Sequence, residues 1–307
     1  MDRRNFIKTG IAAGLLAGTA NLKPSALHGF FSDSAPADAP FDLVAIKGGE
    51  PDAMFLKALD AMGGMKRFVK KNQKVVVKPN IGWDVVPEKA ANTNPKLVSA
   101  IIRSCFDAGA KEVYVFDNTC DNWTRCYSNS GIEKAVKDAK GKLVPGNQES
   151  YYHPIELKNT KKLSKAKEHE LILESDVFIN VPVLKHHGSG KITVAMKNLM
   201  GIVWDRGFWH RNDLHQCIAD FASYRKPDLN IVDAYNVMLQ NGPRGVSVDD
   251  LVLMKSQIIS TDMLAADVAS AKLFGIQPEN VNYIKYGTSM KIGQGDLSKL
   301  NIKRLVI

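Results

Sequence analysis

Short β-branched and apolar runs alternate with stretches of helical spacing along most of this chain. Residues 41–47, FDLVAIK, form one such run, and 74–78, KVVVK, form a second. Further strands are predicted over 111–117, 175–183, 228–234 and 254–261, with a last one in the tail at 301–307. Between them lie helical patterns. Residues 51–64 begin with Pro51 and end in glycine. The clearest helix has Asn94 as its cap, Pro95 at its first position and Gly109 as its stop. Residues 131–141, 211–224 and 262–275 complete the set. Residues 142–144 form a short strand or its remnant, and 146–166 read as an irregular polar excursion. Residues 191–201 suit a helix or a strand, with Thr193 and Val194 arguing against an easy helix.

This alternation predicts an α/β fold: a mainly parallel or mixed sheet flanked by helices, in Rossmann-like layering. Residues 41–307 are expected to form one such domain. In open sheets of this kind, ligands lie beyond the carboxyl ends of the strands. The residues following each predicted strand are therefore the candidates for chemistry. They are Lys78 and Asn80, then Asp117 and Asn118, then Lys185, His186 and His187, then Asp233, then Thr261 and Asp262. Ammonium, imidazole and carboxylate groups thus recur at strand ends.

Composition narrows the classes. The chain has 307 residues, 45% hydrophobic and 24% charged, an ordinary globular balance. The net charge is +9; the first twenty residues carry Arg3, Arg4 and Lys8 against Asp2, which leaves +7 for the rest. The lysines are scattered and lack aromatic interleaving, so nucleic acid is not the expected partner. A small anionic ligand is. No internal stretch is apolar for long enough to span a membrane. The beginning differs: Arg3-Arg4, then Asn5, then a short Gly/Ala-rich apolar run with small residues at 18–20. This is the pattern of a twin-arginine export signal, with residues up to 40 as signal and flexible lead. The mature chain is then expected in the periplasm or otherwise outside the cytoplasm. In that oxidising setting Cys120 and Cys126, close in sequence, are candidates for a disulfide.

The stretch KHHGSGK, 185–191, concentrates this chemistry. Neighbouring residues on a strand point to opposite faces, so His186 and His187 share a site only if Gly188 and Gly190 turn the chain. In one reading ammonium groups from Lys78, Lys185, Lys191 or Lys197 bind a carboxylate or phosphate, and His186 or His187 acts as general acid or base. Lys197 sits in an otherwise apolar segment beside Asn198, which favours a paired, interior role. In a second reading His186 or His187, with His210, His215 and Asp117 or Asp233, holds a metal ion such as Zn, Fe or Ni for redox or isomerase chemistry. His210 and His215 are five apart and do not share a helix face, so they converge only if His210 precedes the helix. A third reading is a non-catalytic binding component of a periplasmic assembly. Whether the protein is an enzyme stays open.

The segments VVVKPNIGW, TNPKLVSAIIRSCFDAGAKEVYVFDNT, FINVPVLKHHGSGKITVAMKNLMG and NGPRG…IISTDMLAADVASAKLFG resemble the family called domain of unknown function 362. The likeness covers roughly residues 41–290, nearly the whole expected mature chain. Many members carry an added ferredoxin-like segment with an iron–sulfur cluster. This chain has Cys105, Cys120, Cys126 and Cys217 and no closely spaced cysteine run, so a ferredoxin-type cluster is not expected. More remotely, KHHGSGK is similar to the His- and Gly-rich stretch of nickel-pincer lactate racemases. There a lysine anchors a pyridinium cofactor and histidines serve metal and proton transfer.

Overall fold

The computed structural model describes residues 40–307. The expected export signal and nearly all of its lead fall outside the described residues. In chain order the elements are β1 (Leu43–Lys47), α1 (Pro51–Ala61), β2 (Lys74–Pro79), α2 (Pro95–Ala108), β3 (Glu112–Val115), α3 (Trp123–Asn129), α4 (Ile132–Asp138), β4 (Lys142–Leu143), β5 (Tyr152–Glu156), β6 (Lys165–His169), α5 (Glu170–Glu174) and β7 (Val177–Val181). Then come β8 (Val183–His187), β9 (Lys191–Thr193), α6 (Ala195–Asn198), α7 (Arg206–Arg211), α8 (Leu214–Tyr224), β10 (Leu229–Met238), β11 (Leu251–Ser260), α9 (Met263–Phe274), α10 (Asn282–Ser289) and β12 (Ile302–Val306).

Among the described residues ten strands form one mixed sheet, in the order β12-β1-β11-β10-β7-β2-β3-β4, with β8 attached to β10 and β9 attached to β8. The β10-β7-β2-β3-β4 portion is parallel. β11 runs antiparallel to both β10 and β1. The period-2 side-chain alternation sorts the sheet into two cores. Val75, Val77, Ile179 and Ile231 face α1, α2 and α4. Val76, Phe178 and Val232 face α8, α9 and α10 on the other side. The α2 boundaries follow from its caps: the Asn94 side chain accepts the Lys96 N–H at 3.0 Å, and Gly109 closes the helix at φ 106°.

Four segments differ from the sequence expectation. The run at 175–183 is two strands, β7 and β8, which meet at Pro182. Lys185, His186 and His187 therefore lie within a strand and not after one. Residues 191–202 divide into the strand β9, the single turn α6 and a 3₁₀ turn at Leu199–Ile202. The polar excursion contains the antiparallel hairpin β5–β6. The segment before residue 224 is two helices, with Asp213 capping α8 by accepting the Gln216 N–H. No helix among the described residues is long and apolar enough to cross a membrane.

Candidate functional site

The parallel strands β2 and β3 and the hairpin β8–β9 direct their ends toward a cavity of about 450 Å³. Lys78, at the end of β2, is buried. Its ammonium lies 3.0 Å from Asp117 Oδ1 and donates to the backbone oxygen and Oδ1 of Asn198 at 2.7 and 2.9 Å. Asp117 Oδ2 accepts the Ile81 N–H at 2.6 Å. Burial lowers the Lys78 pKa, and the neighbouring Asp117 charge opposes that shift. The pair sits against Gly201, where a methyl group would collide with both Asp117 Oδ1 and Lys78 Nζ. Glycine here is a requirement of close approach.

Hairpin β8–β9 supplies the next layer. Lys185 pairs across it with Thr193, His186 with Ile192 and His187 with Lys191. Alternation sends Lys185 and His187 to the cavity, together with Thr193. His186 points away, and its Nδ1 accepts the Gly242 N–H at 3.1 Å. Lys185 Nζ donates to the Ala91 backbone oxygen and, at 3.2 Å, to Asn80 Oδ1. Burial pushes its pKa down to about 7, and the positive charges of Lys197 and Lys78 add to that. His187 Nδ1 accepts the Gly190 N–H at 3.2 Å, so its neutral ring carries the proton on Nε2. Burial, then Lys197 and Lys185, hold the ring neutral, with a pKa of about 2. Thr193 Oγ1 is buried and has no hydrogen-bond partner among the described residues.

Turn α6 brings Lys197 and Asn198 to the same cavity. Its first two backbone N–H groups, Ala195 and Met196, are accepted by the buried Asp267 carboxylate at 2.7 and 3.2 Å. Lys197 is 6% exposed, and its Nζ lies 3.3 Å from the Met200 sulfur. Burial, followed by the charges of Arg206 and Lys78, lowers it to about 8. Arg206, at the start of α7, is fixed by the backbone oxygens of Asn118 and Thr119, both at 2.7 Å. Its guanidinium also reaches Cys120 Sγ at 3.5 Å.

Of the residues singled out from sequence, Lys78, Asn80, Asp117, Lys185, His187, Lys197, Asn198 and His210 line this cavity. The others lie elsewhere. Asn118 is buried behind the wall, donating to the Val203 backbone oxygen. Lys191 is exposed at the hairpin tip, with φ 62°. Asp233 anchors the start of α2, accepting the Asn94 N–H at 2.7 Å and the Tyr235 N–H at 3.0 Å. His215 stacks on Tyr283, with ring centroids 6.1 Å apart. Thr261 and Asp262 are at the opposite rim, because β11 runs antiparallel and ends where β10 begins. The cavity also holds Thr193, Cys120, Trp83, Trp204 and Arg206, which the strand-end rule does not reach.

The metal-ligand set expected from His186 or His187, His210, His215 and Asp117 or Asp233 is not assembled. Among the described residues no three His, Cys, Asp or Glu side chains converge as a potential metal site. His186 and His215 face away, Asp233 is occupied by backbone donors, and Asp117 is paired with Lys78. The thiols of Cys120 and Cys126 are both free. Cys126 is buried in the α2–α4 core and Cys120 is exposed at the cavity.

The thylakoid-associated protein sll1697 of Synechocystis sp. is 26% identical over 232 residues, spanning 73% of this chain and 70% of that protein. Among solved structures, the lactate racemase apoprotein from Thermoanaerobacterium thermosaccharolyticum aligns with a TM-score of 0.48 and 13% identity, over 78% of this chain and 58% of the other. A structural-genomics protein from Thermotoga maritima aligns with a TM-score of 0.42 and 11% identity, over 60% of this chain and 51% of the other. The chain thus spans between half and three-fifths of the length of these solved structures. The family model described as Domain of unknown function (DUF362) matches residues 75–272, from β2 through most of α9, and the chain belongs to that family.

Proposed function

We propose that the cavity binds a small organic or inorganic anion, with Lys197 and Arg206 as its cationic contacts and the Lys185 nitrogen beside them. One observation carries this reading. Lys185 and Lys197 are almost fully buried at the same cavity, and neither has a carboxylate within ion-pairing distance among the described residues. Lysine is rarely buried without a partner, because an isolated ammonium loses far more in desolvation than it regains from neutral contacts. An anion drawn from solvent supplies the missing partner. Strongly perturbed groups gathered in one cleft are a mark of function rather than of stability. The neutral His187 and the unpartnered Thr193 hydroxyl add uncharged donors that orient such a ligand. His187 has its Nε2 proton to donate and no tendency to charge, so any acid–base work falls to the two lysines, whose pKa values lie near neutrality. We read Arg3-Arg4 and the apolar run after it as an export signal, which places this cavity outside the cytoplasm.

Titration calorimetry with sulfate, phosphate and short carboxylates tests the reading. Replacing Lys185 and Lys197 together by Met is expected to weaken the best-bound anion at least about tenfold, the usual scale for a lost charge-assisted hydrogen bond. Equal affinity in the parent and the double variant refutes it.

A further inference from the structure

The three lysines at the cavity differ in how many hydrogen-bond acceptors they meet. Lys78 has three: the Asn198 backbone oxygen, Asn198 Oδ1 and the Asp117 carboxylate. Those occupy all three protons of an ammonium, and one of them is charged. Lys185 has two neutral acceptors, the Ala91 backbone oxygen and Asn80 Oδ1. A neutral amine has two N–H bonds and one lone pair, so two acceptors satisfy its donors and leave the lone pair free at the cavity. Lys197 meets a thioether, a weak acceptor, and as an ammonium it lacks partners until an anion arrives.

We propose that Lys185 is an amine nucleophile that forms an imine with a small aldehyde or ketone bearing a carboxylate or phosphate, the anionic end being held by Lys197 and Arg206. This rests on the anion-binding reading and adds a covalent step to it. The Lys185 Nζ lone pair adds to the carbonyl carbon to give a carbinolamine. The carbonyl oxygen then leaves as water with the two amine hydrogens as the C=N bond forms. Nothing is oxidised or reduced. Protonation of the imine restores one N–H, which Ala91 or Asn80 accepts. Burial of Lys185 supports the same assignment, since it favours the amine near neutral pH. Lys185 stands on a strand rather than a loop, and Gly190, on the turn of the same hairpin, packs close to the terminal carbons of the Lys197 side chain.

The test is reductive trapping. The protein is incubated with glyoxylate or pyruvate in cyanoborohydride, which delivers hydride to any imine, and the added mass is located by peptide mapping. The expected result is an adduct on Lys185 that forms faster than on any other lysine. Lys197→Met should slow labelling by glyoxylate about tenfold more than it slows labelling by uncharged propanal, which loses only the help that the Lys197 charge gives the free amine of Lys185. Lys185→Arg, which keeps a cation and a donor, should abolish the adduct while sulfate or phosphate still binds by calorimetry. Labelling of Lys185 no faster than of surface lysines, with anion binding intact, overturns the imine and leaves the anion site standing. Equal glyoxylate rates in the parent and Lys197→Met overturn the assigned division between the two lysines. Loss of both the adduct and all anion binding in the parent overturns both readings.

Discussion

An ammonium taken out of water loses several kcal/mol of solvation, and Lys78 offsets that loss with Asp117, whereas Lys185 and Lys197 have no such pair. The difference predicts a pH dependence. Burial lowers Lys185 to about 7 and Lys197 to about 8 from an ordinary lysine value of 10.5. Between those values the unfolded chain binds more protons than the folded one, so stability from these groups rises with pH from about 7 toward 10.5. Thermal melts of the ligand-free protein should therefore show a midpoint that climbs by a few degrees between pH 7 and pH 9 relative to the Lys185→Met, Lys197→Met variant. Parallel pH profiles would contradict it. Several of these positions were legible in sequence: Lys78 is the penultimate residue of β2, Asp117 follows just beyond β3, and alternation alone separates His186 from His187. Arg206 and Cys120 were not. Arg206 belongs to a helix start that reaches the cavity by docking on the backbone of residues 118 and 119, and nothing local signals that contact.

At the scale of elements, the one-turn helix α6 is too short to persist by its own hydrogen bonds. Asp267, on the second turn of α9, holds it by taking two of its backbone donors. This also explains the ambiguity of residues 191–201, where strand and helix propensities were both visible because both elements are there. Asp267→Ala should destabilise the protein by about 2–4 kcal/mol in denaturant unfolding, because two buried N–H groups lose their acceptor. Anion affinity should fall with it, since Lys197 and Asn198 lose their support. Asp267→Asn keeps one acceptor oxygen and should lose less. An alanine variant as stable as the parent would show that α6 is held by packing alone. The β5–β6 hairpin was hidden for a different reason: on β6 the inward-facing position is Glu168, buried where the period-2 pattern calls for an apolar residue.

For the whole molecule, alternation of strand and helix was enough to expect an α/β sheet, and the shared segments were enough to expect the family. Strand order and direction were not accessible, because β1, β11 and β12 pair through contacts that span most of the chain. β2 and β3 end at the cavity, whereas the reversed direction of β11 puts Thr261 and Asp262 at the opposite rim. The step at Pro182 has a larger effect. β7 lies between β2 and β10 and ends at Val181 opposite Pro79, while β8 carries on beside β10 and not beside β2. The sheet therefore forks, and the cavity is the notch between its tines, with the Lys185 side chain laid across as a crossbar to Ala91 and Asn80. An anion seated there would staple the tines together. Saturating sulfate or phosphate should then slow amide exchange both in the 183–193 hairpin and in residues 80–93 across the notch, and protection confined to one tine would show that the ligand rests on a single wall.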